Sequence, residues 1–143
     1  MTEIVTIART WIGTPYVHQA SAQGAGTDCL GLLRGIWRAL YGLEPAAIPP
    51  YSADWSEAGG REELMAAPDY WLIRKPLNDA SAGDVLLFRM AKGAVAKHLG
   101  IAARLGDDPS FIHAYSGHGV LESPLSAPWA RKIVARYQFP SRG

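Results

Sequence analysis

The pattern of apolar residues changes midway along the chain, and this change constrains the fold more than any other feature. Up to Tyr41, apolar side chains recur at positions i, i+3, i+4 and i+7, the spacing of an amphipathic helix. After Gly83 and Asp84, short apolar runs alternate with turn-forming residues, which is typical of strands. Connections this short favour antiparallel neighbours. We therefore expect an α+β domain, with helices first and an antiparallel sheet after them.

The first helix is expected to extend from Thr2 to about Ile12. Thr2 is a suitable N-cap, and Gly13 supplies a stop that Pro15 reinforces. Glycine and proline are frequent from Gly13 to Thr27, so this segment is expected to be a loop.

The second helix is expected to begin at Thr27 or Asp28 and to end near Tyr41, with Gly42 as its C-cap. Its apolar face has a 3.6-residue period and consists of Cys29, Leu32, Leu33, Ile36, Trp37 and Leu40. Cys29 is therefore expected in the first turn, with its side chain facing the protein.

The later part of the chain predicts about five strands. These are Val85–Phe88, Leu99–Ala103, Phe111–Tyr115, Val120–Ser123 and Ile133–Tyr137, with turns such as Lys92-Gly93 between them. Between the helices and the sheet, Leu43–Gly60 is expected to be irregular and Arg61–Ala67 to form a short helix. The segment Tyr70–Ile73 fits either a helix or a strand.

Size and composition exclude several classes of protein. A chain of 143 residues fits one domain spanning 1–143. Its 48% hydrophobic content and net charge of +1 argue against disorder and against charge-driven nucleic-acid binding. No apolar run approaches the roughly 18–20 residues of a membrane span. The first residues lack the layout of a signal peptide, so we expect synthesis in the cytoplasm.

Cys29 is the only cysteine, which excludes a disulfide framework and a multi-thiolate zinc site. It is either a small core residue or a reactive thiol. The expected position at a helix N-terminus favours a thiolate, because unpaired N–H groups and the helix dipole stabilise negative charge there. Such positions lower the pKa of a thiol into the range of roughly 3.5–7.5.

A nucleophilic thiol needs a base, and His98 and His113 are the candidates. They lie on neighbouring expected strands, so pairing of these strands would let one imidazole orient the other. Each is otherwise a histidine at a sheet edge. His18 and His118 fall in loops and are expected at the surface. Neither a metal site nor a phosphate-binding loop is indicated, so we expect no cofactor and no metal.

Five short blocks in one order resemble the NlpC family of papain-like cysteine peptidases. The blocks are Thr14-Pro15-Tyr16, Thr27-Asp28-Cys29-Leu30-Gly31-Leu32, Gly83-Asp84-Val85-Leu86-Leu87-Phe88, His98-Leu99-Gly100-Ile101 and Phe111-Ile112-His113-Ala114. The resemblance extends from about Ile4 to Tyr137. It implies a papain-like fold, with N-terminal helices packed on a central antiparallel sheet.

The same resemblance implies cleavage of stem-peptide bonds in bacterial peptidoglycan, often between D-glutamate and diaminopimelate. By position, Cys29 matches the nucleophile, His98 the base and His113 the residue that orients His98. Tyr16 and Asp28 border the site, and the backbone N–H of Cys29 contributes to the oxyanion hole. Leu30 departs from the small hydroxyl residue common after the cysteine, which alters the pocket wall.

The chain also resembles short members of the family encoded in prophage and gene-transfer-agent tail clusters. That resemblance implies tail hub proteins as partners and incorporation in a phage-like particle that opens the wall for DNA entry. Docking is expected to use Leu43–Gly60 or the chain after Tyr137. Two alternatives remain open: a catalytically silent tail module, and an amidase or acyltransferase of the same fold.

Overall fold

Helices precede strands along the chain, as the apolar pattern predicts. The computed structural model describes residues 2–44, 68, 71–90 and 98–141. Within these ranges the helices are α1 (Thr2–Arg9), α2 (Cys29–Tyr41) and α3 (Ala127–Ala130). The strands are β1 (Ser21–Ala22), β2 (Gly26–Thr27), β3 (Ile73–Lys75), β4 (Val85–Phe88), β5 (His98–Ala102), β6 (Ser110–Tyr115), β7 (Gly119–Pro124) and β8 (Ile133–Gln138).

Six of the strands form one antiparallel sheet in the order β3-β8-β4-β5-β6-β7. This confirms the α+β class and all five expected strands. No end of these strands differs from the expected position by more than one residue. The sheet has one strand more than expected, because Ile73–Lys75 pairs with the last strand. The expected loop Gly13–Thr27 also contains the small hairpin β1-β2.

The first helix is shorter than expected, since it ends at Arg9 and not at Ile12. Beyond Arg9 the backbone tightens into turns in which Trp11 N–H donates to Ala8 and Ile12 N–H donates to Arg9. These bonds join residues three apart, the pattern of a tighter helical turn. Gly13 follows with a φ of 94° and redirects the chain toward the site.

The second helix agrees closely with the sequence prediction. Asp28 is its N-cap, and Gly42 closes it with a φ of 93°. The expected apolar face is buried throughout, at Cys29, Leu32, Leu33, Ile36, Trp37 and Leu40. This face packs on one side of the sheet, against residues such as Leu99 and Ile112.

The opposite side of the sheet has a separate apolar cluster. Alternation along β4 sends Val85 and Leu87 toward the helices, whereas Leu86 and Phe88 face the other way. Trp129 of α3 packs over this second face. One face is therefore covered by α2 and the other by α3, and Trp129 of α3 lies near the histidines of β5 and β6.

Asp84 has a structural role in the turn before β4. Its carboxylate accepts from Ser81 N–H at 2.8 Å, just before β4 begins. It also pairs with Lys75 at 2.9 Å and with Arg136 at 2.8 Å. Burial makes these contacts matter, because each charge would be costly to bury alone.

Some predictions fall on residues outside the described ranges. These are most of Leu43–Gly60, the helix Arg61–Ala67, the turn Lys92-Gly93 and Tyr70. The longest helix of the described residues has 13 residues, and none of the described helices has the length and hydropathy that a membrane crossing requires.

Candidate active site

Cys29 is the first residue of α2, and the cap before it fixes this position. One carboxylate oxygen of Asp28 accepts from Gly31 N–H, and the other accepts from Gln19 N–H, each at 2.7 Å. The side chain thus satisfies an N–H group of the first helical turn and also ties the turn to the preceding loop. Asp28, expected at the border of the site, is the residue that positions the cysteine.

Gly31 allows the first turn of α2 to approach this loop closely. A β-carbon at Gly31 would lie 1.9 Å from the carbonyl oxygen of Ala20 and 2.5 Å from Oγ1 of Thr27. No larger residue fits without displacement of the backbone. Gly31 therefore helps to fix the position of Cys29 relative to this loop.

The Cys29 thiol is buried and lies beside the start of β5. Burial raises its pKa to about 12, and the negative charge of Asp28 adds to this. Backbone N–H groups of Leu99, Leu30 and Cys29 act in the opposite direction. The sequence-based expectation of a lowered pKa is wrong in this structure, because it counted the helix N-terminus and omitted burial. The hydrogen bond from Leu99 places the thiol next to the backbone that carries His98.

The expected contact between His98 and His113 is present. His98 begins β5, His113 lies in the middle of β6, and the two strands pair. Nε2 of His98 lies 2.7 Å from Nδ1 of His113. This contact uses Nε2 of the His98 ring and leaves Nδ1 as its second nitrogen.

Both imidazoles are held in the neutral state. Burial, followed by the charge of His113, lowers the pKa of His98 to about 3. Burial, followed by the charge of His118, lowers the pKa of His113 to about 4. Near neutral pH the site therefore contains a neutral thiol and two neutral rings, each with one N–H and one acceptor nitrogen.

Tyr16 lies close to Cys29 and Asp28. It forms an isolated β-bridge with Thr27, two residues before the cysteine. Burial raises the pKa of its phenol to about 12, and the charges of Cys29 and Asp28 add to this effect. Tyr16 is thus a neutral hydroxyl near the thiol.

Two residues beside the histidines had no signal in the sequence. Oγ of Ser123 on β7 lies 2.9 Å from Nε2 of His113. The ring centroid of Trp129 lies 5.8 Å from that of His98 and 5.3 Å from that of His113. The expected strand Val120–Ser123 contained the serine, but only the register with β6 reveals its partner.

The other two histidines occupy the surface positions that the sequence predicts. His18 is exposed, and its Nδ1 lies 3.9 Å from a carboxylate oxygen of Asp28. His118 is exposed in the turn between β6 and β7, where its ring stacks on Tyr115 with centroids 5.2 Å apart.

Within the described ranges, no group of three or more histidine, cysteine and acidic side chains is arranged to hold a metal ion. The grouped side chains are a buried thiol that contacts the backbone of Leu99 and two neutral imidazoles that contact each other. A thiol and an imidazole are the side chains that nucleophilic attack with general-base assistance uses.

A model of the NlpC/P60 family matches residues 13–138. The match includes Tyr16, Cys29, His98 and His113, and it covers most of the chain. The chain belongs to the NlpC/P60 family. No match was found among curated proteins.

Solved structures of this family share the fold. The NlpC/p60 domain of the peptidoglycan hydrolase SagA is 24% identical, with a TM-score of 0.62 over 95% of this chain and 96% of that one. A lipoprotein-like NLP/P60 protein from Staphylococcus aureus is 19% identical, with a TM-score of 0.63 over 99% of this chain. An NlpC/P60 protein from Bacillus cereus is 18% identical, with a TM-score of 0.66 over 95% of this chain.

This chain spans less than half the length of two of these proteins, namely 43% of the Staphylococcus aureus chain and 39% of the Bacillus cereus chain. By contrast, it matches the SagA domain along nearly its whole length. The likeness establishes a papain-like α+β fold for this domain.

Proposed function

We propose that the protein is a cysteine peptidase that cleaves stem peptides of bacterial peptidoglycan. The observations that carry the proposal are the 2.7 Å contact between Nε2 of His98 and Nδ1 of His113, and a buried thiol at the start of α2 that contacts the backbone of Leu99, the residue after His98. Membership of the NlpC/P60 family supports the reaction class. The name of SagA, a peptidoglycan hydrolase, supports the choice of polymer.

Attack begins from the neutral thiol. His98 Nδ1 takes the proton from Cys29 as the sulfur bonds to the carbonyl carbon of the scissile amide. The two pKa shifts fix the starting state, with the proton on the thiol and none on His98 Nδ1, but they oppose the transfer itself, which formation of the carbon–sulfur bond has to drive. Negative charge then develops on the carbonyl oxygen. We assign the stabilisation of that charge to the backbone N–H of Cys29, because N–H groups at a helix N-terminus have no partner within the helix.

Collapse of this intermediate breaks the C–N bond. His98 returns the proton to the leaving amine, and the acyl group remains on Cys29 as a thioester. Water then attacks the thioester with His98 as base, which releases the acid and restores the thiol. His113 acts throughout on Nε2 of His98 and stabilises the imidazolium that forms.

The bond that we propose is the one between D-glutamate and diaminopimelate. This choice rests on the resemblance of the five sequence blocks to family members with that specificity. An amidase or acyltransferase would use the same three side chains, because those reactions also pass through an acyl-enzyme. The released fragments separate the possibilities.

The test is digestion of purified peptidoglycan, followed by mass spectrometry of the soluble fragments. The proposal predicts products in which water has been added across the glutamyl–diaminopimelate bond, with wild-type protein and not with Cys29→Ala. Release of intact stem peptides would indicate an amidase, and intact polymer would indicate a silent module. A Ser126→Ala variant is the matched control, because it changes an exposed side chain outside the proposed set.

Delivery by a phage-like tail is a further part of the proposal. It rests on the resemblance to short members of tail clusters, and it names tail hub proteins as partners. Proteomics of purified particles from the producing bacterium tests it. Presence in particles supports delivery, whereas absence from particles that carry the other tail proteins contradicts it and leaves the chemistry unaffected.

A further inference from the structure

The hydrogen-bonded chain that begins at His98 does not end at His113. Nε2 of His98 lies 2.7 Å from Nδ1 of His113, and Nε2 of His113 lies 2.9 Å from Oγ of Ser123. Three groups from three adjacent strands are therefore linked in series. The serine hydroxyl is the last described member of this series.

Strand pairing explains why Ser123 can reach the ring. His113 lies opposite Leu121 across the β6-β7 pair, and Ser123 is two residues further along the same face. A diagonal neighbour of this kind is within reach of a long or aromatic side chain. Trp129 packs edge-on against the His113 ring, with centroids 5.3 Å apart, and so restrains it on another side.

Two arrangements of hydrogens satisfy this series, because each neutral ring carries a single N–H. In the first, His98 Nε2–H donates to His113 Nδ1, and His113 Nε2–H donates to Ser123. In the second, Ser123 donates to His113 Nε2, and His113 Nδ1–H donates to His98 Nε2. The second arrangement leaves the hydrogen of His98 on Nδ1, so this ring cannot accept a proton from the thiol.

We propose that Ser123 is a positioning residue that selects the first arrangement by accepting a hydrogen bond from His113 Nε2. Both rings then carry their hydrogen on Nε2, the intrinsically preferred form of a neutral histidine side chain. Nδ1 of His98 is left as an acceptor for the Cys29 proton. This inference rests on the proposed function for its catalytic meaning, and its structural part concerns the free protein alone.

The hydrogen positions are directly measurable by NMR. Protein labelled with ¹⁵N-histidine is examined by long-range proton–nitrogen correlation near neutral pH, with signals assigned through single histidine-to-glutamine variants. The wild-type spectrum is expected to show His98 and His113 as Nε2–H forms. Ser123→Ala should give His113 a mixture of forms, and Ser123→Thr should restore the wild-type pattern.

Ser126→Ala is the matched control, because Ser126 is exposed and its side chain makes no capping hydrogen bond. An Nδ1–H form of His113 in the wild-type protein would overturn the proposal. An unchanged tautomer in Ser123→Ala would also overturn it. Both measurements are made without substrate, so a protein that cleaves no peptidoglycan would refute the proposed function and leave this inference testable.

Kinetics provide the second readout. Loss of one neutral hydrogen bond behind the base is expected to lower kcat by roughly tenfold in Ser123→Ala, with KM unchanged, and Ser123→Thr should recover most of the rate. A merely structural serine would lower the folded fraction and leave kcat per folded molecule unchanged. That result, or a rate equal to that of Ser126→Ala, would contradict a positioning role.

Discussion

Acidification is expected to destabilise this fold through the two buried histidines of the site. The folded pKa of His98 is about 3 and that of His113 is about 4, whereas an exposed histidine titrates near 6.5. Below about pH 6.5 the two imidazoles therefore bind protons in the unfolded chain but not in the folded protein. Stability is fully present above that pH and is lost as the pH falls toward the folded values.

The expected size of this effect follows from the two shifts. At about pH 5 the unfolded rings are mostly protonated and the folded rings are not. Each histidine then contributes a loss of about 2 kcal/mol relative to neutral pH, since one pH unit corresponds to about 1.4 kcal/mol. The two together give about 4 kcal/mol, a large part of the total stability of a domain of this size.

Urea unfolding at about pH 7.5 and about pH 5 measures this loss, with the double variant His98→Gln/His113→Gln as the control. All carboxylates and the exposed His18 and His118 are common to both proteins, so their contributions cancel in the comparison. The wild-type protein should lose about 4 kcal/mol more than the variant. Equal losses in the two proteins would refute the view that both rings are neutral because they are buried.

Three further predictions concern single side chains. Alkylation of Cys29 by iodoacetamide in the free protein should be slow near neutral pH and faster in alkaline solution, because burial raises the pKa of the thiol. An alkylation rate that is already maximal below pH 7 would contradict this. Gly31→Ala should lower the free energy of unfolding by about 1–3 kcal/mol, since its β-carbon would clash with the Ala20 carbonyl. If calorimetry finds no change, the loop that contains Ala20 can move aside without a cost in stability. Asp84→Ala should lower the free energy of unfolding by about 3–5 kcal/mol, because Lys75 and Arg136 would be left buried without their carboxylate partner. Turnover per folded molecule should be unchanged. Full stability with lost turnover would identify a catalytic carboxylate.

The elements that the sequence predicts well are those whose burial is periodic. The helix from Cys29 to Tyr41 places one apolar stripe against the sheet, and β4 is buried on both sides of the sheet as a continuous apolar run. The cap residue Asp28 adds a local signal that depends only on its neighbours. Such features do not require knowledge of the rest of the fold.

The elements that the sequence misses depend on distant partners. The strand Ile73–Lys75 is an edge strand with two basic side chains, so it has no alternating apolar pattern. The contact between Ser123 and His113 follows from the register of β6 and β7, which no local pattern determines. The raised pKa of Cys29 likewise reflects burial in the folded protein, whereas the helix N-terminus alone predicts the opposite direction.

The proposed mechanism requires Cys29 to form a thioester with the acyl half of a peptidoglycan stem peptide. Hydroxylamine intercepts thioesters, so the most direct measurement is cleavage of a purified stem peptide in its presence, with products analysed by mass spectrometry. Wild-type protein is expected to convert part of the acid product into the corresponding hydroxamate, and Cys29→Ala is expected to yield neither product. Cleavage by Cys29→Ala, or cleavage by the wild-type protein that yields only the acid at high hydroxylamine concentration, would contradict it.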